Sequence, residues 1–194
     1  MRIAKLNRKT NETDIKLSIN LDGEGVRNIN TGVPFLDHMM DLMAKHGFLD
    51  LDVDCKGDVH IDAHHTVEDI GIVLGEAFNE AVGDKAGIVR YSTVFTPMDE
   101  ALSMISLDVS GRPFLHFNVE YTADKVGEFD VELCEEFFRA FAYNAKVTLH
   151  ANLNYGKNNH HIIESLFKGL GRAINQACEK KDSIKGVLST KGVL

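Results

Sequence analysis

The chain reads as an α+β protein of two fused, pseudo-repeated halves, each a small mainly antiparallel or mixed sheet covered on one face by two helices. Three observations predict this. His64-His65-Thr66-Val67-Glu68 aligns with His160-His161-Ile162-Ile163-Glu164 at an offset of 96 residues, and the same offset pairs Gly75 with Gly171 and Ala77 with Ala173. A self-match of that kind marks a duplicated unit. Runs of period two and runs of helical period then follow one another in the same order in both copies.

In the first half, Ile15, Leu17, Ile19 and Leu21 alternate with polar residues and predict a half-buried strand. A helix follows from Pro34 to about Lys45, with proline suited to the first helical turn. Leu49, Leu51, Val53 and Cys55 predict the next strand. A closing helix starts at the His-His motif and buries Val67, Ile70, Val73, Leu74, Ala77, Phe78 and Ala81. The second half repeats the order. Its strands are read from Ser103 to Val109, Leu115 to Tyr121 and Val147 to Leu153, and its first helix from Val131 to about Tyr143. Its closing helix carries Ile163, Leu166, Phe167, Leu170, Ile174 and Ala177 on one stripe. The turn Gly83 to Gly87 is too short to be a linker. We therefore expect one unit over 1–194, with halves of about 1–88 and 89–188 and a polar, mobile tail over 189–194.

Composition excludes several classes. With 194 residues, 44% hydrophobic and 26% charged, the chain can bury a core and is not disordered. No apolar run approaches the roughly 20 residues that span a bilayer, and the first residues lack a signal-like apolar core, so a soluble, cytoplasmic protein without membrane contact is expected. A net charge of −8 argues against capture of nucleic acid. Cys55, Cys134 and Cys178 are few and widely spaced, as reduced thiols packed in a core would be. Histidine stands out, with nine residues.

On a helix, residues i and i+4 share a face, so His64 and Glu68 can hold one metal ion while His65, turned about 100° away, is free to serve another. His160, His161 and Glu164 repeat the arrangement. A pseudo-twofold axis would let each motif donate its spare histidine to the partner's metal. His38, on the first helix, is a third ligand candidate, with Asp37 or Asp41 fixing its ring. The corresponding place in the second half holds Glu136. Imidazole and carboxylate without thiolate favour octahedral manganese or iron over structural zinc. His46 faces the same cavity or caps its helix; His60, His116 and His150, in strand contexts, read as structural. Lys168, four residues after Glu164, would suit a phosphate, with Arg90, Arg112 and Lys191 as further cations. From the residues alone, the reading is a dinuclear metal enzyme for a small anionic ligand.

Several segments then carry a resemblance. Thr31-Gly-Val-Pro-Phe-Leu-Asp-His38, Gly57 to Asp69, Leu107-Asp-Val-Ser-Gly-Arg-Pro113, Gly156 to Glu164 and Ser189-Thr-Lys-Gly-Val-Leu194 resemble, in order and over nearly the whole chain, the imidazoleglycerol-phosphate dehydratases. The resemblance implies a ribosomal protein S5 domain 2-like fold in each half. It also implies a hydro-lyase of L-histidine biosynthesis that converts D-erythro-imidazole-glycerol 3-phosphate to imidazole-acetol phosphate. Two Mn2+ per active site would bind the substrate as imidazolate, and homo-trimers would build a twenty-four-subunit cage. It places His38, His64, Glu68 and His161 at one metal and His65, His160 and Glu164 at the other, with Glu136 where some members have a further histidine. Substrate contacts are implied at Glu12, His38, His46, His64, His65, Glu68, Arg90, Arg112, His160, His161, Glu164, Lys168, Ser189, Thr190 and Lys191. Glu12, Glu68 and Glu164 are the candidate catalytic carboxylates, and Glu12 is favoured as proton shuttle. Alternatives are a dinuclear phosphoester hydrolase using metal-bound hydroxide, and a non-catalytic metal-storage cage.

Overall fold

A computed structural model describes all 194 residues. Inward side chains at every second position build two four-stranded sheets of like design. In the first, β1 (Ile3–Lys9) and β2 (Thr13–Asn20) form a hairpin, β3 (Arg27–Asn30) runs parallel to β4 (Asp50–Gly57), and the order is β1-β2-β4-β3. In the second, β5 (Tyr91–Met98), β6 (Ala101–Asp108), β7 (Phe114–Asn118) and β10 (Thr148–Tyr155) take the order β5-β6-β10-β7. A two-stranded hairpin of β8 (Lys125–Val126) and β9 (Phe129–Asp130) lies between.

Each half contributes two helices. α1 (Pro34–Gly47) packs on β3 and α2 (His64–Val82) on β1 and β2, while α3 (Glu132–Asn144) packs on β7 and α4 (Asn159–Cys178) on β5 and β6. The helices then pair across the halves, α1 with α4 and α2 with α3. The helical layer thus lies between the two sheets, and the core runs through it, with Phe78, Phe137, Phe138, Phe141 and Phe167 fully buried. Burying each such ring contributes about 1.5–3 kcal/mol. No helix is long and apolar enough to cross a membrane.

The α1–α4 crossing is close because it is lined by glycine. A Cβ on Gly171 would lie 2.1 Å from the Met43 carbonyl oxygen, and one on Gly47 would lie 2.7 Å from that of Gly171. Gly75 does the same on the other pair, where a Cβ would lie 2.7 Å from the Phe141 carbonyl oxygen.

Two expectations need correction. The strand read over Leu115 to Tyr121 ends at Asn118; beyond it the chain turns off the sheet, with Val119 and Tyr121 still packed on the core. His60 lies in the turn after β4, not in a strand. His116 and His150 do sit on paired strands, side by side.

Candidate active site

The start of α4 is set by local chemistry. Asn158 caps it, its side-chain oxygen accepting from the backbone N–H groups of His160 at 2.9 Å and His161 at 3.4 Å. The cap points the His-His pair out of the first turn, and the parallel packing of α1 brings His38 to it.

His38, His160 and Glu164 gather there: one ligand atom from each lies within 4.8 Å of the others. His160 Nε2 is 3.3 Å and His38 Nε2 3.8 Å from Glu164 Oε2. Lys168 Nζ donates to the other oxygen, Glu164 Oε1. Glu164 is 6% exposed. Burial pushes its carboxyl up, but the Lys168 hydrogen bond and charge, aided by His160 and His38, win and hold it below the usual range. Phe35 stands edge-on to His160, with ring centroids 5.3 Å apart. A cavity of about 790 Å³ opens onto His38 and His160, lined also by Phe35, Asp62, Lys125 and Phe129. His46 lies farther along α1, where burial first, then the Lys168 and Arg172 charges, push its pKa down.

Within the chain His38 therefore stands with the second motif. The reason is the pairing of helices across halves: α1 packs on α4, so the third ligand of one half meets the motif of the other. Neither Asp37 nor Asp41 fixes the His38 ring. Asp37 accepts from the Thr31 backbone N–H at 2.8 Å and its hydroxyl at 2.5 Å, and Asp41 pairs with Arg27 at 2.6 Å.

His64, Glu68 and Glu136 correspond by the repeat to that group, and α3 packs on α2 as α1 packs on α4. They do not gather into a comparable cluster. Glu136 is turned to Arg139 at 2.9 Å. His65 is held separately: its Nδ1 lies 2.9 Å from Asp58 Oδ2 and its Nε2 3.8 Å from Glu12 Oε1. His161 is held in the same manner, with Nδ1 2.7 Å from Glu100 Oε2 and Nε2 3.8 Å from Asp99 Oδ2. The hydrogen bonds to Asp58 and to Glu100 push the two imidazole pKa values up. Glu100, accepting from His161 and from the Asn158 and Lys157 backbone, is held down to about 2. Asp58, Asp99 and Glu100 escaped the sequence reading. A signal existed for the last: it precedes β6 as Glu12 precedes β2.

The remaining cations lie elsewhere. Arg90, Arg112 and Lys191, with Ser189 and Thr190, line a second cavity of about 640 Å³ that shares no lining residue with the first. Arg90 is fixed by Asp108 at 2.8 Å and by the Leu188 carbonyl at 2.8 Å, so the tail is drawn over it. Lys168 stays with Glu164. Glu12 is exposed in the β1–β2 turn, whose base is pinned to α2: Asp69 accepts from the Thr13 hydroxyl at 2.5 Å and pairs with Arg8 at 2.7 Å.

Comparison with known proteins agrees with this architecture. The family model for imidazoleglycerol-phosphate dehydratase matches residues 31–174. The imidazoleglycerol-phosphate dehydratase of Clostridium novyi is 62% identical over 187 residues, 96% of this chain and 95% of the relative. That of Oceanobacillus iheyensis is 60% identical over 194 residues and the full length of both. Among solved structures, the Staphylococcus aureus imidazoleglycerol-phosphate dehydratase superposes with a TM-score of 0.84 at 44% identity, covering 92% of this chain and 99% of that one. The Pyrococcus furiosus IGPD gives 0.82 at 36% identity, covering 97% and 100%. Fold, motif order and near full-length identity thus converge: the chain belongs to the imidazoleglycerol-phosphate dehydratase family, hydro-lyases of histidine biosynthesis.

Proposed function

We propose that the chain removes water from D-erythro-imidazole-glycerol 3-phosphate to give imidazole-acetol phosphate, with Mn2+ held by its histidine groups. The observation that carries this reading is the convergence of His38, His160 and Glu164 beside Lys168. Two imidazoles and a buried carboxylate fit a six-coordinate divalent ion with positions left for substrate. His64, Glu68 and His161 supply donors of a second ion, while His65, turned about 100° from His64, and Glu136 are further donors to the first. When bound, the metal pair supplies Lewis-acid polarisation of the substrate imidazole and a template for it.

The side chains do the rest. Glu12, exposed and on a pinned turn, takes the proton from the carbon next to the ring-adjacent one and passes it to the hydroxyl that leaves the ring-adjacent carbon as water. The enol so formed ketonises, its hydroxyl proton lost and a proton gained at the ring-adjacent carbon, to give imidazole-acetol phosphate. Arg90, Arg112 and Lys191 clamp the phosphate, with Ser189 and Thr190 as hydroxyl donors; guanidinium suits a phosphate because it offers paired donors. Because the cation cavity and the histidine cavity share no lining residue, a neighbouring copy brings the second to the first, in trimers that build a twenty-four-subunit cage. The 194 residues act as one unit with its internal boundary near residue 88, in the cytoplasm.

Metal-stripped protein given Mn2+ is expected to dehydrate imidazole-glycerol phosphate. No turnover after repletion, or release of inorganic phosphate in its place, overturns the reading. Glu12→Gln is expected to keep metal and substrate binding while turnover falls by about 100-fold or more; near-normal turnover removes Glu12 from the role.

A further inference from the structure

The two halves hold corresponding histidines in the same way with residues that do not correspond. His65 and His161 are one motif apart, and each has Nδ1 against a carboxylate, Asp58 at 2.9 Å and Glu100 at 2.7 Å. Asp58 follows β4, whereas Glu100 sits in the β5–β6 turn. By strand register, with Thr13 opposite Gly57 and Leu102 opposite Tyr155, Asp58 corresponds to Lys157, and by the motif offset to Asn154; neither is an acid. Glu100 in turn corresponds to Glu12, which in its own half stands 3.8 Å from Nε2 and leaves Nδ1 to Asp58. One contact has been built twice from different places in the chain.

We infer that Asp58 and Glu100 are positioning residues, which hold His65 and His161 in the tautomer that presents Nε2 to a metal ion. A carboxylate only accepts, so Nδ1 carries the hydrogen and Nε2 keeps its lone pair. The carboxylates are suited to this. Asp58 is largely buried and its Oδ1 has no other partner, so His65 is the one side chain it serves. Glu100 is anchored through its other oxygen by the backbone N–H groups of Asn158 at 2.8 Å and Lys157 at 3.1 Å, beside the α4 cap. Asp58 thereby leaves Glu12 unspent in the first half, while in the second the equivalent carboxylate is committed to the histidine.

The inference rests on the metal reading above, and the test separates the two. Mn2+ alone is titrated into wild type, Glu100→Gln and Asp58→Asn, with free Mn2+ read by electron paramagnetic resonance, and turnover is then measured at saturating Mn2+. Glu100→Gln keeps an amide oxygen for the Asn158 and Lys157 N–H groups, so its thermal midpoint without metal is expected to match wild type. Each variant is expected to bind Mn2+ 10–100-fold more weakly and to recover most of its turnover when Mn2+ is in excess. Unchanged Mn2+ affinity in both variants overturns the inference, as does turnover that excess Mn2+ does not restore. Wild type that binds Mn2+ without dehydrating the substrate overturns the function reading and leaves the affinity comparison standing.

Discussion

The α1–α4 and α2–α3 pairs are built alike, parallel, glycine-lined and each joining opposite halves, yet only the first gathers a metal-ready group within one chain. His38 meets His160 and Glu164 across α1–α4, whereas Glu136, at the place of His38, turns along its own helix to Arg139. Duplication copied the packing and not the chemistry. A second contrast lies beneath the motif helices. The first half has an ionic anchor of Arg8, Asp69 and Thr13 under the Glu12 turn, where the second has Thr96, Ser165 and Ala101, with Ser165 merely bonded back to the Ile162 carbonyl at 2.7 Å. The Glu12 turn is the one given an ionic base.

The largest expected effect comes from forcing the helix pairs apart. Gly171→Ala drives a methyl onto the Met43 backbone and is expected to cost about 3 kcal/mol, lowering the thermal midpoint by roughly 6–12 °C. It should also weaken Mn2+ binding, because His38 and His160 sit on the two helices displaced. Gly75→Ala is expected to match it in calorimetry and to spare the His38 group in the Mn2+ titration. Equal loss of Mn2+ in both variants would erase the distinction between the pairs.

Next is the anchor. Asp69→Asn breaks the Arg8 pair, in which Asp69 is buried but Arg8 is a third exposed. Discounted for that exposure, the expected cost is about 2 kcal/mol by chemical denaturation, with a fall in turnover as the Glu12 turn loosens. Ser165→Ala, its counterpart, should cost at most about 1 kcal/mol and leave turnover unchanged.

The smallest effect concerns the tie between the ends of the halves. The Arg2 guanidinium binds Asp22 and also donates to the Cys178 carbonyl at 2.6 Å. The Arg2 hydrogen bond holds the Asp22 carboxyl below its ordinary value of 3.8 despite some burial. A depressed carboxylate contributes stability above its unfolded pKa and loses it as pH falls through the folded one. Asp22→Asn should therefore cost less than about 1 kcal/mol at pH 7, the pair being partly exposed, and the difference from wild type should close below pH 3.8.

Much of this was legible in the residues. The strands that pair on both sides, β2, β4, β6 and β10, have alternation strong enough to read directly. Of the edge strands only β7 was read, and past its end; β1 turns Ala4, Leu6 and Arg8 inward, with a cation where an apolar residue would have marked the face, and β3 is a short polar Arg-Asn-Ile-Asn. The motif residues of the site were visible through the repeat. Their partners were not, because His38 reaches the second motif through a helix pairing that no local period encodes. Asp58 and Glu100 touch their histidines through turns whose reach depends on strand register.

The crossing of helices between halves also bears on where the chain can be cut. Severed in the Gly83–Gly87 turn, each fragment would carry two helices whose inner faces fit only the other fragment's helices. The two pieces are thus complementary reagents, and mixing them should rebuild the His38, His160 and Glu164 group, one residue from the first piece and two from the second.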